Sequence, residues 1–342
     1  MHLTPLLNLG KFVLFLTICF LLLPTISGSV NSKFSPYIEK HANGWIDWEN
    51  GLIYGIGRGY LDKNKNRRPL AKGVASVIAS SNILKLAAGV HLDDSNVLNT
   101  LGKGRVVIHL KAFMRDQEYK SELVDNVRPY YEVVNVSSMK GIKGLTSKLL
   151  TYFNSQPVWK EFKRPKPSST QLNDDDKPWL VLDARNLGMG QKVEPALFPK
   201  IKSASGETIY ELKEVDKAAL ANRGMMKYVV SDESREELRS DAGSIERIIA
   251  RAGILFPVQE AFAAQKTKRR KRNKLIVKKV EKLQGLAKTN LVISENDARH
   301  LKAEDGASQI LKKCRVIVIV SSSIAGIEGK IKHFLAMAPG SQ

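Results

Sequence analysis

Residues 51–59 read GLIYGIGRG, with glycine at Gly55, Gly57 and Gly59 on alternate positions. Two readings compete for this stretch. A phosphate-binding glycine loop opens directly into a helix, whose free N–H groups and dipole face the anion. Here the glycines run into YLDKNKNRRPL, and a helical pattern begins only near Arg67. The third glycine stands one place early for G-x-G-x-x-G, and no Gly-Lys-Ser/Thr step is present. The stretch therefore reads as a strand whose glycines permit close packing or a bulge.

Working outward, 67–90 (RRPLAKGVASVIASSNILKLAAGV) puts Leu70, Val74, Val77, Ile78, Leu84 and Ala88 on one side at helical spacing. The small residues Ala71, Ala75, Ala79, Ser80 and Ser81 would let this helix lie close to a sheet, and Gly89 is a stop signal. RVVIHLKAFM and YYEVVNVSSM are β-rich runs separated by a polar stretch holding Asp116 and Asp125, and LTSKLLTYF is a short amphipathic helix. Together these make a small α+β domain over 45–153. Residues 154–178, with four prolines and an acidic triplet, read as a linker.

A second α/β domain is expected over 179–322. WLVLDARNLGMG is a buried strand leaving into a loop, and ALFPKIKSASGETIYELKEV is a hairpin around Ala204, Ser205 and Gly206. MKYVV, KLIVKKVEKL and TNLVI are further strands, and SREELRSDAGSIERIIARAG is helical. Ser294 and Asp297 form a near capping box ahead of a helix extending to about Lys313. CRVIVIVSS is continuously apolar, as a strand covered on both faces should be. A short helix and tail close the chain over 323–342. The fold class is α+β: two small α/β-type domains, each a mixed sheet covered by helices.

The net charge is +20, which brings an anionic partner forward early. The N-terminus restricts which one. Residues 12–23 are twelve in number and apolar except Thr17, with one Lys before them and Pro24 and small residues after. That is the layout of a secretory signal peptide over 1–29, with an uncleaved inner-membrane anchor over 3–26 as the alternative. Either way the body is exported to the periplasm or cell envelope. Cys19 lies in the apolar segment and Cys314 stands alone, so a mature chain has no internal disulfide. Ile18 fills the place where a lipoprotein signal wants a small residue.

Few residues nominate themselves for chemistry. Residues 266–282 hold ten Lys or Arg and one Glu. Lys266, Lys268, Arg269, Arg270, Lys271, Arg272 and Lys274 are the candidate contacts to an anionic envelope surface, each worth about 1 kcal/mol near anionic lipid. Export and the lack of aromatics among these charges argue against nucleic acid. The six histidines form no metal-spaced pair, and neither H-E-x-x-H nor G-x-S-x-G occurs, so no metal or cofactor is expected. Ser137-Ser138-Met139-Lys140 spells S-x-x-K without a K-T-G partner downstream. Asp183 and Arg185 stand at a strand's carboxyl end, where α/β sheets often carry functional groups. They are the weak candidates for a site.

The GIG step at Gly55 and Gly57, followed by Ala71, Ala75 and Ala79, resembles the Lpp-twenty lipoprotein family. It is also similar to the N-terminal domain of flagellar assembly protein T. The stretch from Leu180 to Tyr210, with NLVISENDARHL further on, looks like the second half of longer bacterial envelope proteins that carry such a domain. Two departures stand out: the missing lipobox, and an insertion over 256–273 that holds most of the basic run. The resemblance implies a non-enzymatic envelope protein with an assembly or scaffold role, flagellum- or outer-membrane-associated. Its partners would be envelope proteins or an anionic envelope polymer or lipid, with the oligomeric state left open. The rival reading is a ligand-binding protein or enzyme with its site near Asp183 and Arg185.

Overall fold

A computed structural model describes residues 34–61, 67–100, 114–155, 178–188, 190–231 and 275–322. The expectations for 1–29, 105–113, most of the 154–178 linker, the helix after MKYVV, the 256–273 insertion and the tail from 323 lie outside the described residues. The chain divides into Met1–Ser32 and a compact unit, Lys33–Gln342.

The glycine stretch forms strand β4 (Leu52–Tyr60), and the following helix is α1 (Arg68–Gly89). A Cβ built on Gly55 would meet the carbonyl oxygen of Ala79; on Gly57 it would meet that of Ala75, and on Gly59 that of Ala71, each closer than 3.0 Å. The helix backbone thus rests on the strand backbone. Two strand residues advance about 6.6 Å, and four helix residues about 6.0 Å. Alternate glycines therefore keep step with every fourth alanine as α1 runs antiparallel to β4. Asn82 adds a side-chain bond to the Ile56 carbonyl at 2.7 Å.

β4 lies in a five-stranded sheet with β2 (Ile38–His41), β3 (Gly44–Asp47), β5 (Asp116–Val124) and β6 (Tyr130–Ser138). Its order is β2-β3-β4-β6-β5, antiparallel throughout. The expected helix at 145–153 is α2 (Leu145–Ser155).

The second sheet has eight strands. They are β1 (Ser35–Pro36), β7 (Trp179–Asp183), β8 (Ile201–Ser203), β9 (Thr208–Tyr210), β10 (Lys227–Val230), β11 (Leu275–Gln284), β12 (Asn290–Ile293) and β13 (Val316–Val320). The order is β1-β10-β13-β7-β11-β12-β8-β9. β10, β13, β7 and β11 are mutually parallel, and β12 pairs with β8 in parallel. All of VIVIV in β13 is buried, because that strand is central and covered on both faces. Helices α3 (Lys217–Arg223) and α4 (Glu295–Ser308) also belong to this half. Asp216 caps α3 through the Ala218 and Ala219 amides, and Ser294 caps α4 through the Asp297 amide. α4 stops at Ser308, where Gln309 turns left-handed with φ 53°, short of the Lys313 expected.

The class is thus α+β with two sheets, and one hydrophobic cluster runs through both. Ile46, Ile53, Ile83 and Leu149 belong to it together with Leu180, Leu182, Val316 and Val318. Backbone bonds stitch the halves: Leu197 N–H to His91 O at 2.9 Å, Phe198 N–H to Leu92 O at 2.7 Å, and Ala287 N–H to Asp94 O at 3.2 Å. The chain also crosses in person, since β1 pairs with β10 while β2, one residue on, pairs with β3.

Two details differ from the sequence reading. The polar stretch after Asp116 is itself β5, an edge strand with most residues exposed, so it carries no apolar alternation. The buried face of α1 is Ala71, Ala75, Ala79, Asn82, Ile83, Leu86 and Ala87, while Leu70, Val74, Val77 and Ile78 point outward. The glycine register admits only small residues beneath the first half of the helix.

Gly57→Ala should therefore cost about 2–3 kcal/mol by overpacking. Gly73 in α1 has nothing within 4 Å of its Cβ position, so Gly73→Ala should gain about 0.5–1 kcal/mol from helix propensity. Urea midpoints of the two variants check both signs.

Candidate functional site

Asp183 ends β7, opposite Lys279 of β11 and Ile319 of β13 on the two neighbouring ladders. It thus occupies the carboxyl edge of the parallel strands, the edge on which open α/β sheets place ligands. Its carboxylate is already engaged. Arg185 turns back two residues and donates from Nε to Oδ1 at 2.8 Å and from Nη2 to Oδ2 at 2.9 Å. The Arg185 amide adds a third contact to Oδ1 at 3.3 Å. The two side chains are 5% and 8% exposed. This forked pair satisfies both carboxylate oxygens and fixes the turn that leaves the strand. As arranged, the guanidinium fork and both carboxylate oxygens are turned on each other.

The basic run lies outside the described residues, from Lys266 through Lys274, with Lys268, Arg269, Arg270, Lys271 and Arg272 between. It enters the described sheet at Leu275, which pairs with Trp179 at the start of β7. Leu275 thus stands at the end of the parallel strands opposite Asp183.

The S-x-x-K spelling leads to a group the sequence reading undervalued. Ser137 donates to the Arg115 carbonyl at 2.9 Å, and Ser138 donates to the Lys140 carbonyl at 2.9 Å. The Lys140 amine donates instead to the Glu49 carbonyl at 2.7 Å. No serine–lysine pair of the nucleophile-and-base kind forms. Lys140 is nonetheless unusual: its stem crosses Gly51 where a Cβ would otherwise stand, and it is buried where the two halves meet. Burial, followed by the nearby Lys227 charge, lowers its pKa to about 7, while Asp47 and Glu49 act in the opposite direction.

Further buried charges serve the frame. Lys313 approaches Asp216 at 3.5 Å with side chains 7% and 0% exposed, which ties the α3 cap to the turn before β13. Arg315 donates to the Ser308 and Gln309 carbonyls at 2.7 and 3.2 Å and so closes the end of α4. Cys314 is a free, buried thiol whose pKa burial pushes up to about 12, which makes it a poor nucleophile. Among the described residues no group of three His, Cys, Asp or Glu could hold a metal ion.

The class defined by these observations is an α+β protein with two sheets on one core, in which Asp183 closes on Arg185, Lys313 on Asp216, and Lys140 and Arg315 on backbone carbonyls. Residues 179–255 and 241–322 match the family model for the second domain of Treponema pallidum Tp0624. The match begins at the first residue of β7, ends just past β13, and covers less than half of the chain. It leaves out β1, although β1 extends the same sheet. No curated protein matches the chain.

Breaking a buried, forked pair on one side strands the other charge, so Asp183→Asn and Arg185→Ala should each lose about 3 kcal/mol. The double variant should lose less than the two singles combined, because no lone charge remains. Chemical denaturation of the three variants measures this. Lys140 is charged in the unfolded chain up to its ordinary 10.5 but in the folded protein only below about 7. The unfolded state therefore binds more protons between these values, and stability should rise with pH there. The slope is on the order of 1 kcal/mol per pH unit. Lys140→Met should flatten the rise between pH 7 and about 8, below the ordinary midpoints of thiols and phenols. Urea titrations at stepped pH read the difference.

Proposed function

We propose that the protein is a non-enzymatic scaffold of the bacterial cell envelope, exported from the cytosol, whose single rigid frame holds surfaces for envelope partners. The observation carrying this reading is the closed Asp183–Arg185 pair. The residues best placed for chemistry, at the carboxyl edge of the parallel strands, spend their hydrogen bonds on each other. Lys140 and the Asp216–Lys313 pair are likewise buried in the frame. The segment over 1–29 supports export, and the likeness of 45–153 to Lpp-twenty and flagellar-assembly-T domains supports an assembly role. The match of 179–322 to a domain of a bacterial protein agrees with a bacterial setting. The charge of +20 favours an anionic envelope polymer or lipid as one contact, with the run from Lys266 to Lys274 as its densest source.

N-terminal sequencing of the protein from fractionated host cells tests this reading. A start between Gly28 and Asn31 in the periplasm, or an intact Met1 in the membrane pellet, is the expected result. An intact Met1 in the cytosol overturns it. Retention on immobilised lipopolysaccharide should fall as ionic strength rises and the Debye length shrinks from about 30 Å at 0.01 M to about 3 Å at 1 M. Unchanged retention removes the electrostatic component.

A further inference from the structure

Helix α1 is turned inside out relative to an ordinary surface helix. Its small residues face the sheet, and its outer stripe is Leu70, Val74, Val77 and Ile78, exposed by 59%, 45%, 70% and 38%. These positions follow one another at helical spacing, so they form one continuous apolar strip. Nothing beneath α1 requires them to be apolar, because the Gly55, Gly57 and Gly59 register is filled by the alanine carbonyls on the opposite face. Polar residues would fit outward at no structural cost. An exposed apolar strip retained under those conditions marks a contact surface.

The charges around the strip decide what covers it. α1 contains no Asp or Glu, and its first turn carries no acid although a helix N-terminus favours one. Arg67 and Arg68 stand at one end of the strip and Lys85 near the other. Two acids of β5 bond to α1, and both are also engaged elsewhere: Asp116 by Ser80 and Asn135, and Glu118 by Lys72 and Ser121. A second copy of the chain would bring like charges together. A surface of anionic headgroups over acyl chains complements both features, since the strip enters the apolar boundary while the cations meet phosphate. By length and composition α1 passes the test for a membrane span. Its backbone contact with β4 holds it on the protein, so the geometry allows contact along its side and not a crossing.

We propose that the outer face of α1 is a membrane-surface docking site for anionic lipid, with Leu70, Val74, Val77 and Ile78 entering the headgroup boundary and Arg67, Arg68 and Lys85 meeting phosphates. The inference rests on the envelope reading only in needing a lipid surface within reach.

The test uses the chain from Lys33 onward, because the compact unit begins there and the whole described core lies within it. Cys314 is buried, so Val77→Cys can carry an environment-sensitive fluorophore alone, with Val127→Cys, at a position 94% exposed in the β5–β6 turn, as control. With vesicles of phosphatidylglycerol and phosphatidylethanolamine, emission should shift to the blue at 77 and stay unchanged at 127. Phosphatidylcholine vesicles should give a weaker shift. Val77→Glu, at a position 70% exposed and with its fold checked by circular dichroism, should lower partitioning to the anionic vesicles by about tenfold. A water-like label at 77 on anionic vesicles overturns the proposal. So does a shift that appears without lipid as protein concentration rises, which assigns the face to a second copy. A shift seen only with added envelope proteins assigns it to a protein partner and also overturns it. Cell fractionation is read separately: an envelope protein whose label stays in water loses this inference alone, whereas cytosolic recovery removes the envelope reading.

Discussion

The contact between the backbones of β4 and α1 is the constraint from which much of the first half follows. Three alternate glycines remove the Cβ atoms that would hold the helix away, and Ala71, Ala75 and Ala79 bring its carbonyls down onto them. Because two strand residues and four helix residues span nearly the same length, the match persists over three steps. The consequences are directional. The register orients α1 antiparallel to β4 and decides which face is inner. It also delivers the turn at 91–98 to the second sheet, where His91, Leu92 and Asp94 accept amides from Leu197, Phe198 and Ala287. Small side chains bury little apolar area, so this close approach gains stability through dispersion between well-packed backbones. Hydrophobic burial comes from the later part of the helix, where Ile83 and Leu86 enter the shared core.

That shared core explains why a buried lysine is tolerated at the junction. Tyr228 packs tilted against Tyr37 and edge to face with Trp48 there, the Trp48 and Tyr228 ring centroids 6.0 Å apart. The Tyr37 amide reaches the Tyr228 carbonyl, and the Trp48 amide reaches the Tyr37 carbonyl. Lys140 adds its bond to the Glu49 carbonyl across the bare face of Gly51. A buried charge is expensive unless satisfied. The lowered pKa of Lys140 is the form this expense takes: near neutrality the amine can shed its proton and remain a hydrogen-bond donor. A junction made of ring packing, backbone bonds and one adaptable amine couples the two sheets more tightly than a tether between separate domains would.

How much of this was legible depended on which physical signal each segment carried. β13 and β7 declare themselves because strands covered on both faces are near-continuously apolar, and the β8–β9 hairpin because Gly206 supplies the positive φ of its turn. β5 hides because an edge strand exposed on both faces, DQEYKSELV, has the composition of a loop. β1 and β2 hide because two- and four-residue strands are too short to show a period. The outward face of α1 was misleading for a specific reason: large apolar residues at helical spacing usually mark the core. Here the glycines of β4, read together with alanines at every fourth position, carried the decisive information. Asp183 and Arg185 were visible as a strand end, but the two-residue fold-back that closes them on each other is a conformational fact no residue type encodes. The burial of Lys140 depends on the far half of the chain, so no local pattern announces it.

The distribution of charge separates what the fold needs from what it leaves over. Among the described residues the buried acids are Asp47, Glu49, Asp183 and Asp216, and the buried bases are Lys140, Lys227, Lys313 and Arg315. The described core thus carries acids and bases in similar number, with the Arg185 side chain also closed on Asp183. The chain as a whole carries +20. None of that excess resides in the described core, so it is not required to hold the two sheets together. It lies on solvent-facing positions and in segments such as 266–274, where it raises the self-repulsion of the compact state without compensation from within. Such a cost, beside an apolar strip that also lacks an internal use, fits the docking face proposed for α1. An anionic, partly apolar counter-surface relieves both at once.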